Sequence, residues 1–237
     1  MQGITRDNVV ATWYMRGLES YLAAFSIPSF MPRFRFKSFL YIVGLELITK
    51  SYLLAKNAEE YDDLEVVEGK IKVNRMMKKR GHYLIEMAEV IREDSGDREF
   101  ASLLDSKFMA SSDNGLGLLK VMEAGYRECR YPVPKEISED YPVEGVENAR
   151  WLPLESTDIQ NFAFVYAREI LRLLKEKYKI QIPVQRYHSI IQGDLGMRFS
   201  GLFLTGRTWS YFGKIDDAND QFGKMFSSSP AELTDKS

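Results

Sequence analysis

Two histidines, His82 and His188, and one cysteine, Cys129, are the side chains here with the widest choice of chemistry. His82 stands seven residues after Arg75 and directly follows Lys78-Lys79-Arg80-Gly81. An imidazole can exchange a proton near neutral pH, and a nearby guanidinium can hold the charge that develops on a phosphorane. Arg75 and His82 are therefore the residue types that metal-independent RNA cleavage uses. A seven-residue step returns to nearly the same face of a helix, but Gly81 lies between the two and is expected to break one. The plainer expectation is a histidine at a helix start whose ring hydrogen-bonds a carboxylate or the backbone. Lys78, Lys79, Arg80 and His82 also form a cationic cluster that could receive the phosphates of RNA or of a nucleotide.

Other chemistry is largely excluded. There is no Gly-x-Ser-x-Gly elbow, no His-Glu-x-x-His, no Walker loop and no cysteine pair. Asp113-Asn114-Gly115-Leu116-Gly117 precedes a helix bearing Lys120, and glycines in that place are read as a turn and cap before a phosphate cradle. Cys129 lies between Glu128 and Arg130 with no base nearby in sequence, so an idle or buried thiol is expected. His188, between Tyr187 and Ser189, has no accompanying ligand and reads as a surface or capping residue. With one cysteine and two distant histidines no zinc spacing can be assembled, and neither metal nor cofactor is expected.

A formal charge of −2 and a pI near 5.9 give no global basic surface for non-specific nucleic-acid binding, which leaves only a local patch. A lone cysteine fits a reducing, cytoplasmic setting. The longest nearly apolar run, Phe39 to Ile48, contains Glu46 and stops before Lys50, too short to span a bilayer, so no membrane partner is expected. Arg6 and Asp7 precede any apolar run, unlike a signal peptide.

The elements that position these residues are helical. With 45% hydrophobic and 28% charged residues among 237, the chain should bury a packed core. Apolar residues at three- and four-residue steps predict helices over Thr5–Phe25, Arg35–Lys56, His82–Ser95, Asp97–Lys107, Gly115–Glu128 and Thr157–Tyr178. The helix over Arg35–Lys56 is apolar nearly all round, which places it at the centre of a bundle. Its Glu46 and Lys50 stand four apart, a helix-supporting pair. Between that helix and His82, an acidic block from Glu59 to Glu68 is answered by Lys70, Lys72, Arg75, Lys78, Lys79 and Arg80. The expectation is a solvated charged loop or hairpin whose two blocks neutralise each other. Thr157 and Gln160 have the form of a capping box. Four prolines over Arg130–Pro153 predict a strap. Short β-prone runs over Met197–Leu204 and Arg207–Phe212 predict a hairpin, and the polar end from Ser227 a disordered tail.

Together these predict a mainly all-α fold: a bundle domain over 1–180, an extension with a small hairpin over 181–226, and a tail over 227–237. The sequence resembles the HEPN superfamily of helical-bundle proteins over about residues 35–178. The residues that carry the resemblance are Leu45-Glu46-Leu47-Ile48-Thr49-Lys50-Ser51-Tyr52-Leu53-Leu54-Ala55, then Lys78-Lys79-Arg80-Gly81-His82-Tyr83-Leu84, then Arg130-Tyr131-Pro132 before the last long helix. The resemblance implies an all-α bundle, often a homodimer, in a family of RNA-cleaving toxins or defence nucleases and of proteins that only bind RNA or nucleotides. The spacing of Arg75 and His82 falls at the upper limit of the nuclease motif, and Met76 stands where the nucleases carry a polar residue. The favoured expectation is therefore non-catalytic RNA or nucleotide binding through Lys78, Lys79, Arg80 and His82. The alternatives are a metal-independent endoribonuclease using Arg75 and His82, and a helical scaffold whose charge blocks bind a protein partner.

Overall fold

The computed structural model describes residues 3–26, 35–107, 114–130 and 157–184. The chain divides into two compact units, Met1–Ile182 and Pro183–Ser237. Among the described residues seven α-helices follow in order: α1 Arg6–Ser26, α2 Arg35–Lys56, α3 Val66–Arg80, α4 Leu84–Ser95, α5 Arg98–Asp105, α6 Gly115–Arg130 and α7 Thr157–Tyr178. The fold is all-α. Extended pairing among the described residues is limited to the single bridges Gly3–Glu65 and Lys107–Asn114. Of the strap expected over Arg130–Pro153 all but Arg130, the last residue of α6, lies outside the described residues, as do the hairpin over 197–212, the tail from 227, and the side chains of Cys129 and His188.

α2 is the axis of the bundle and packs on α1, α4, α6 and α7. Its sequence carries apolar residues on two faces; one, with Phe39, Leu40, Val43 and Leu47, is half-buried, and the other faces the core. Tyr41, Ile42, Leu45, Ile48, Tyr52, Leu53 and Leu54 are all buried. At about 1.5 Å per residue the helix runs for about 33 Å, enough for every other layer to lean on it. α1 lies closest to it where Gly17 meets Gly44. A Cβ at Gly44 would stand 2.7 Å from the Gly17 carbonyl oxygen, and one at Gly17 2.6 Å from the Gly44 carbonyl oxygen. Hydrogen is the only substituent that this crossing admits.

The charged stretch after α2 departs from the solvated loop or hairpin that its composition suggests. Ala58–Glu60 forms a 3₁₀ turn. Tyr61 is fully buried, and its hydroxyl donates to the Leu54 carbonyl at 2.8 Å. The Asp62 carboxylate accepts the Arg6 backbone N–H at 2.7 Å and so caps α1. The basic half is helix α3, seated through Gly69, Val73 and Met77. These recur at four-residue steps, so a narrow buried stripe was hidden among the charges. α3 ends because Gly81 turns into the left-handed half of φ space, at φ +56°, while its N–H donates to the Lys78 carbonyl at 3.2 Å. α4 therefore starts at Leu84 and leaves His82 and Tyr83 in the turn.

Polar ties lock α4, α5 and α7 to α2. The Asp94 carboxylate accepts hydrogen bonds from the Tyr52 hydroxyl at 2.9 Å, the Tyr178 hydroxyl at 2.8 Å and Lys177 Nζ at 2.6 Å, with Lys56 Nζ at 3.0 Å. Burial alone would raise the Asp94 carboxyl, but the donors from Lys177, Tyr178, Lys56 and Tyr52 outweigh it and hold the group well below the ordinary carboxylate range. Nearby, Asp97 caps α5 by accepting the Phe100 N–H at 2.8 Å and receives the Arg172 guanidinium at 2.6 Å and 3.1 Å. Arg172 also donates to Glu169 at 2.8 Å.

Two outcomes follow for stability. Gly44→Val should lower stability by about 1–3 kcal/mol or more, read as a lower urea midpoint, because the methyls meet backbone rather than a flexible side chain. A carboxyl whose folded pKa is depressed contributes stability above its unfolded value and loses it as pH falls. Stability should therefore decline below about pH 4 and onward through the lower folded value of Asp94, and Asp94→Asn should flatten that acid limb in pH-dependent urea titrations.

Candidate functional site

α2 places Glu46 and Lys50 one turn apart on one face, and both are nearly sealed from solvent, at 6% and 5% exposure. Lys50 Nζ donates to Glu46 Oε1 at 2.6 Å. The other carboxylate oxygen, Oε2, lies 2.7 Å from His82 Nδ1. A carboxylate can only accept, so Nδ1 carries the hydrogen of this contact. His82 Nε2 then faces the Tyr126 hydroxyl of α6 at 3.2 Å. The His82 and Tyr126 rings are stacked with centroids 4.1 Å apart, and Phe39 of α2 stacks on Tyr126 at 5.8 Å. Glu123 of α6 accepts the Ile85 N–H at 3.4 Å, which ties the start of α4 to the same wall.

A short turn thus reaches from the surface to a buried ion pair. The His82 side chain remains 44% exposed, whereas the Glu46 carboxylate that it grips is 8% exposed. Two charges removed from water are costly unless their remaining hydrogen-bonding capacity is met. Here both Glu46 oxygens are engaged, one by Lys50 a turn further along α2 and one by His82 just before α4.

The sequence-derived candidates fall into two groups. Lys78, Lys79 and Arg80 occupy the last turn of α3, exposed, with no hydrogen-bond or ion-pair partner among the described residues. Cations there also suit the negative end of the helix dipole, which accounts for part of their placing. His82 follows directly across Gly81. Arg75 is exposed on α3, on the other side of the Gly81 break, so the shared helical face that a seven-residue step would give does not exist. The acidic block does not neutralise the basic one: among the described residues no ion pair joins Glu59–Glu68 to Lys70–Arg80. Glu59, Glu60, Asp62 and Asp63 instead lie on the tight turn beside the start of α1, and Glu68 sits in the first turn of α3, far along the helix from Lys78, Lys79 and Arg80, which leaves those cations open.

Glu46, His82 and Tyr126 stand in the order of an acid–base relay, with a carboxylate orienting one ring nitrogen and a hydroxyl at the other. Tyr126, however, is only 7% exposed. Its phenol is a packing and hydrogen-bonding group, and the ring open to solvent is that of His82. Among the described residues no group of three or more His, Cys, Asp or Glu side chains converges to hold a metal ion, and no helix is long and apolar enough to cross a membrane. At Asn114–Gly117 the turn-and-cap reading describes the geometry, for the Asn114 side chain accepts the Gly117 N–H at 2.9 Å. A Cβ on Gly115 would lie 2.4 Å from the Leu103 carbonyl oxygen. No family model matches the chain, and no curated protein or solved structure is significantly similar to it.

The sequence places Glu46 and Lys50 together and suggests a carboxylate or backbone partner for the His82 ring, but it singles out neither Glu46 as that partner nor Tyr126. One signal was present. A carboxylate in the middle of a helix apolar on all sides will be buried, and a single lysine satisfies only one of its oxygens. Removing one partner of this pair should be far worse than removing both. Lys50→Met is expected to cost about 3–5 kcal/mol in urea unfolding, while Glu46→Leu combined with Lys50→Met should recover much of that loss.

Proposed function

We propose that this protein is a HEPN-like, non-catalytic RNA- or nucleotide-binding protein that acts as a homodimer in the cytoplasm and grips its ligand through Lys78, Lys79, Arg80 and His82. The observation that carries the reading is the set of unpartnered cations on the last turn of α3, adjoining a histidine held rigid by a buried carboxylate. Cations with no protein counterion gain most from releasing the counterions of a polyanion. Anchoring His82 to Glu46 lowers the ordering cost of presenting its ring. The Glu46, Lys50 and Gly81-His82 elements that carry the HEPN resemblance are those that meet at this site.

Cleavage has less support. Both His82 ring nitrogens are engaged, by Glu46 and Tyr126, and Arg75 projects from a helix that ends before His82. A protein-binding scaffold is the other alternative, and the exposed Val67 and Ile71 of α3 are what favour it.

The test is fluorescence anisotropy of the full-length protein with a labelled single-stranded RNA over a salt series, in EDTA. Binding should weaken with a log–log slope of about −2, as expected for about three phosphate contacts. Lys79→Glu should weaken binding about tenfold and flatten the slope, the RNA should stay intact, and sedimentation should give a dimer. Absence of salt-dependent binding, or indifference to Lys79→Glu, would remove the reading.

A further inference from the structure

Beyond its charge, the turn at the end of α3 presents two adjacent aromatic rings to solvent. Tyr83 is 45% exposed, and among the described residues its hydroxyl has no partner. Its ring lies over the Gly81 backbone, where a Cβ on Gly81 would meet the ring edge at 3.0 Å. That packing holds the ring against the turn that closes α3, beside Lys78, Lys79 and Arg80. His82 is 44% exposed even though one ring face is covered by Tyr126 and both nitrogens are engaged. What remains open is ring surface that can make no further hydrogen bond of its own and is suited to stacking. The ladder Phe39–Tyr126–His82 is a stack that ends at the protein surface.

Apart from its packing on Gly81, the half-open Tyr83 ring beside this unpaired cation run has no ring or hydrogen-bond partner among the described residues. A phosphate-only ligand would use the cations and leave both rings wet. A duplex keeps its bases stacked on one another and offers backbone alone. An unpaired nucleotide strand supplies both complements, phosphates for Lys78, Lys79 and Arg80 and a free base face for the rings. We infer that the ligand of this site is single-stranded RNA, with an unpaired base stacked on the Tyr83 and His82 rings while the flanking phosphates lie on the last turn of α3. This rests on the RNA-binding reading given above and narrows it to unpaired strands.

The experiment compares three labelled probes of about twelve nucleotides on the full chain: oligoadenylate, the same length of abasic sugar–phosphate strand, and an adenylate–uridylate duplex. Oligoadenylate should bind about tenfold tighter than either of the others. Tyr83→Ala and Tyr83→Leu should remove that advantage without altering the salt slope, and Tyr83→Phe should keep it. Circular dichroism and urea midpoints matching the unsubstituted protein establish that each variant is folded, and Tyr83→Leu retains apolar cover for Gly81. Equal affinity for the abasic strand, or full affinity in Tyr83→Ala, would overturn the stacking inference while leaving the RNA-binding reading intact. Failure of all three probes, or binding only to phosphatidylserine vesicles, would overturn both.

Discussion

The structure depends on how one buried carboxylate is satisfied. Glu46 sits in the middle of α2, the helix on which most of the bundle leans, and its ionised form is tolerable there only because Lys50 and His82 take one oxygen each. The first partner is local, one turn along the same helix. The second reaches it across the whole α2–α4 connection and fixes where that connection must end. The position of Gly81-His82 is in this sense set by the core, although the residues around it are charged and exposed.

From that constraint the rest of the surface follows. Tying His82 down requires α3 to stop, and Gly81 supplies the positive φ at which it does. Stopping α3 there leaves its last turn of cations at the surface. Most of the acidic residues that could have neutralised them lie on a tight turn around a buried Tyr61, where Asp62 caps α1, and Glu68 is at the opposite end of α3. The stability of the bundle also rests on the Gly17–Gly44 crossing and on the Asp94 and Asp97 networks that bind α4, α5 and α7. The exposed turn is therefore free to carry chemistry that the core does not use.

The helices were the legible part. α2 and α7 begin and end where the apolar period does, because a long two-faced pattern leaves no competing solution. α3 was hidden because its buried stripe is only Gly69, Val73 and Met77, with charges between, and one of the three has no side chain. The pairing of His82 with Glu46 spans thirty-six residues, and nothing in local periodicity carries a contact of that range. Its trace in the sequence was a chemical imbalance, a carboxylate in an apolar helix with one partner too few. The open state of the α3 cations was equally invisible, since adjacent blocks of opposite charge read as self-neutralising until the turn between them is seen to point the blocks at different neighbours.

As proposed, a core carboxylate holds a rigid turn at the end of α3 that receives RNA. An NMR titration of the isotope-labelled full chain with single-stranded RNA tests it most directly. Shifts should concentrate in the amides of Lys78 to Leu84 and in the His82 ring, with the Glu46 and Lys50 signals moving little because their contacts persist on binding. Shifts centred on another face, or loss of the His82–Glu46 contact when RNA binds, would contradict it.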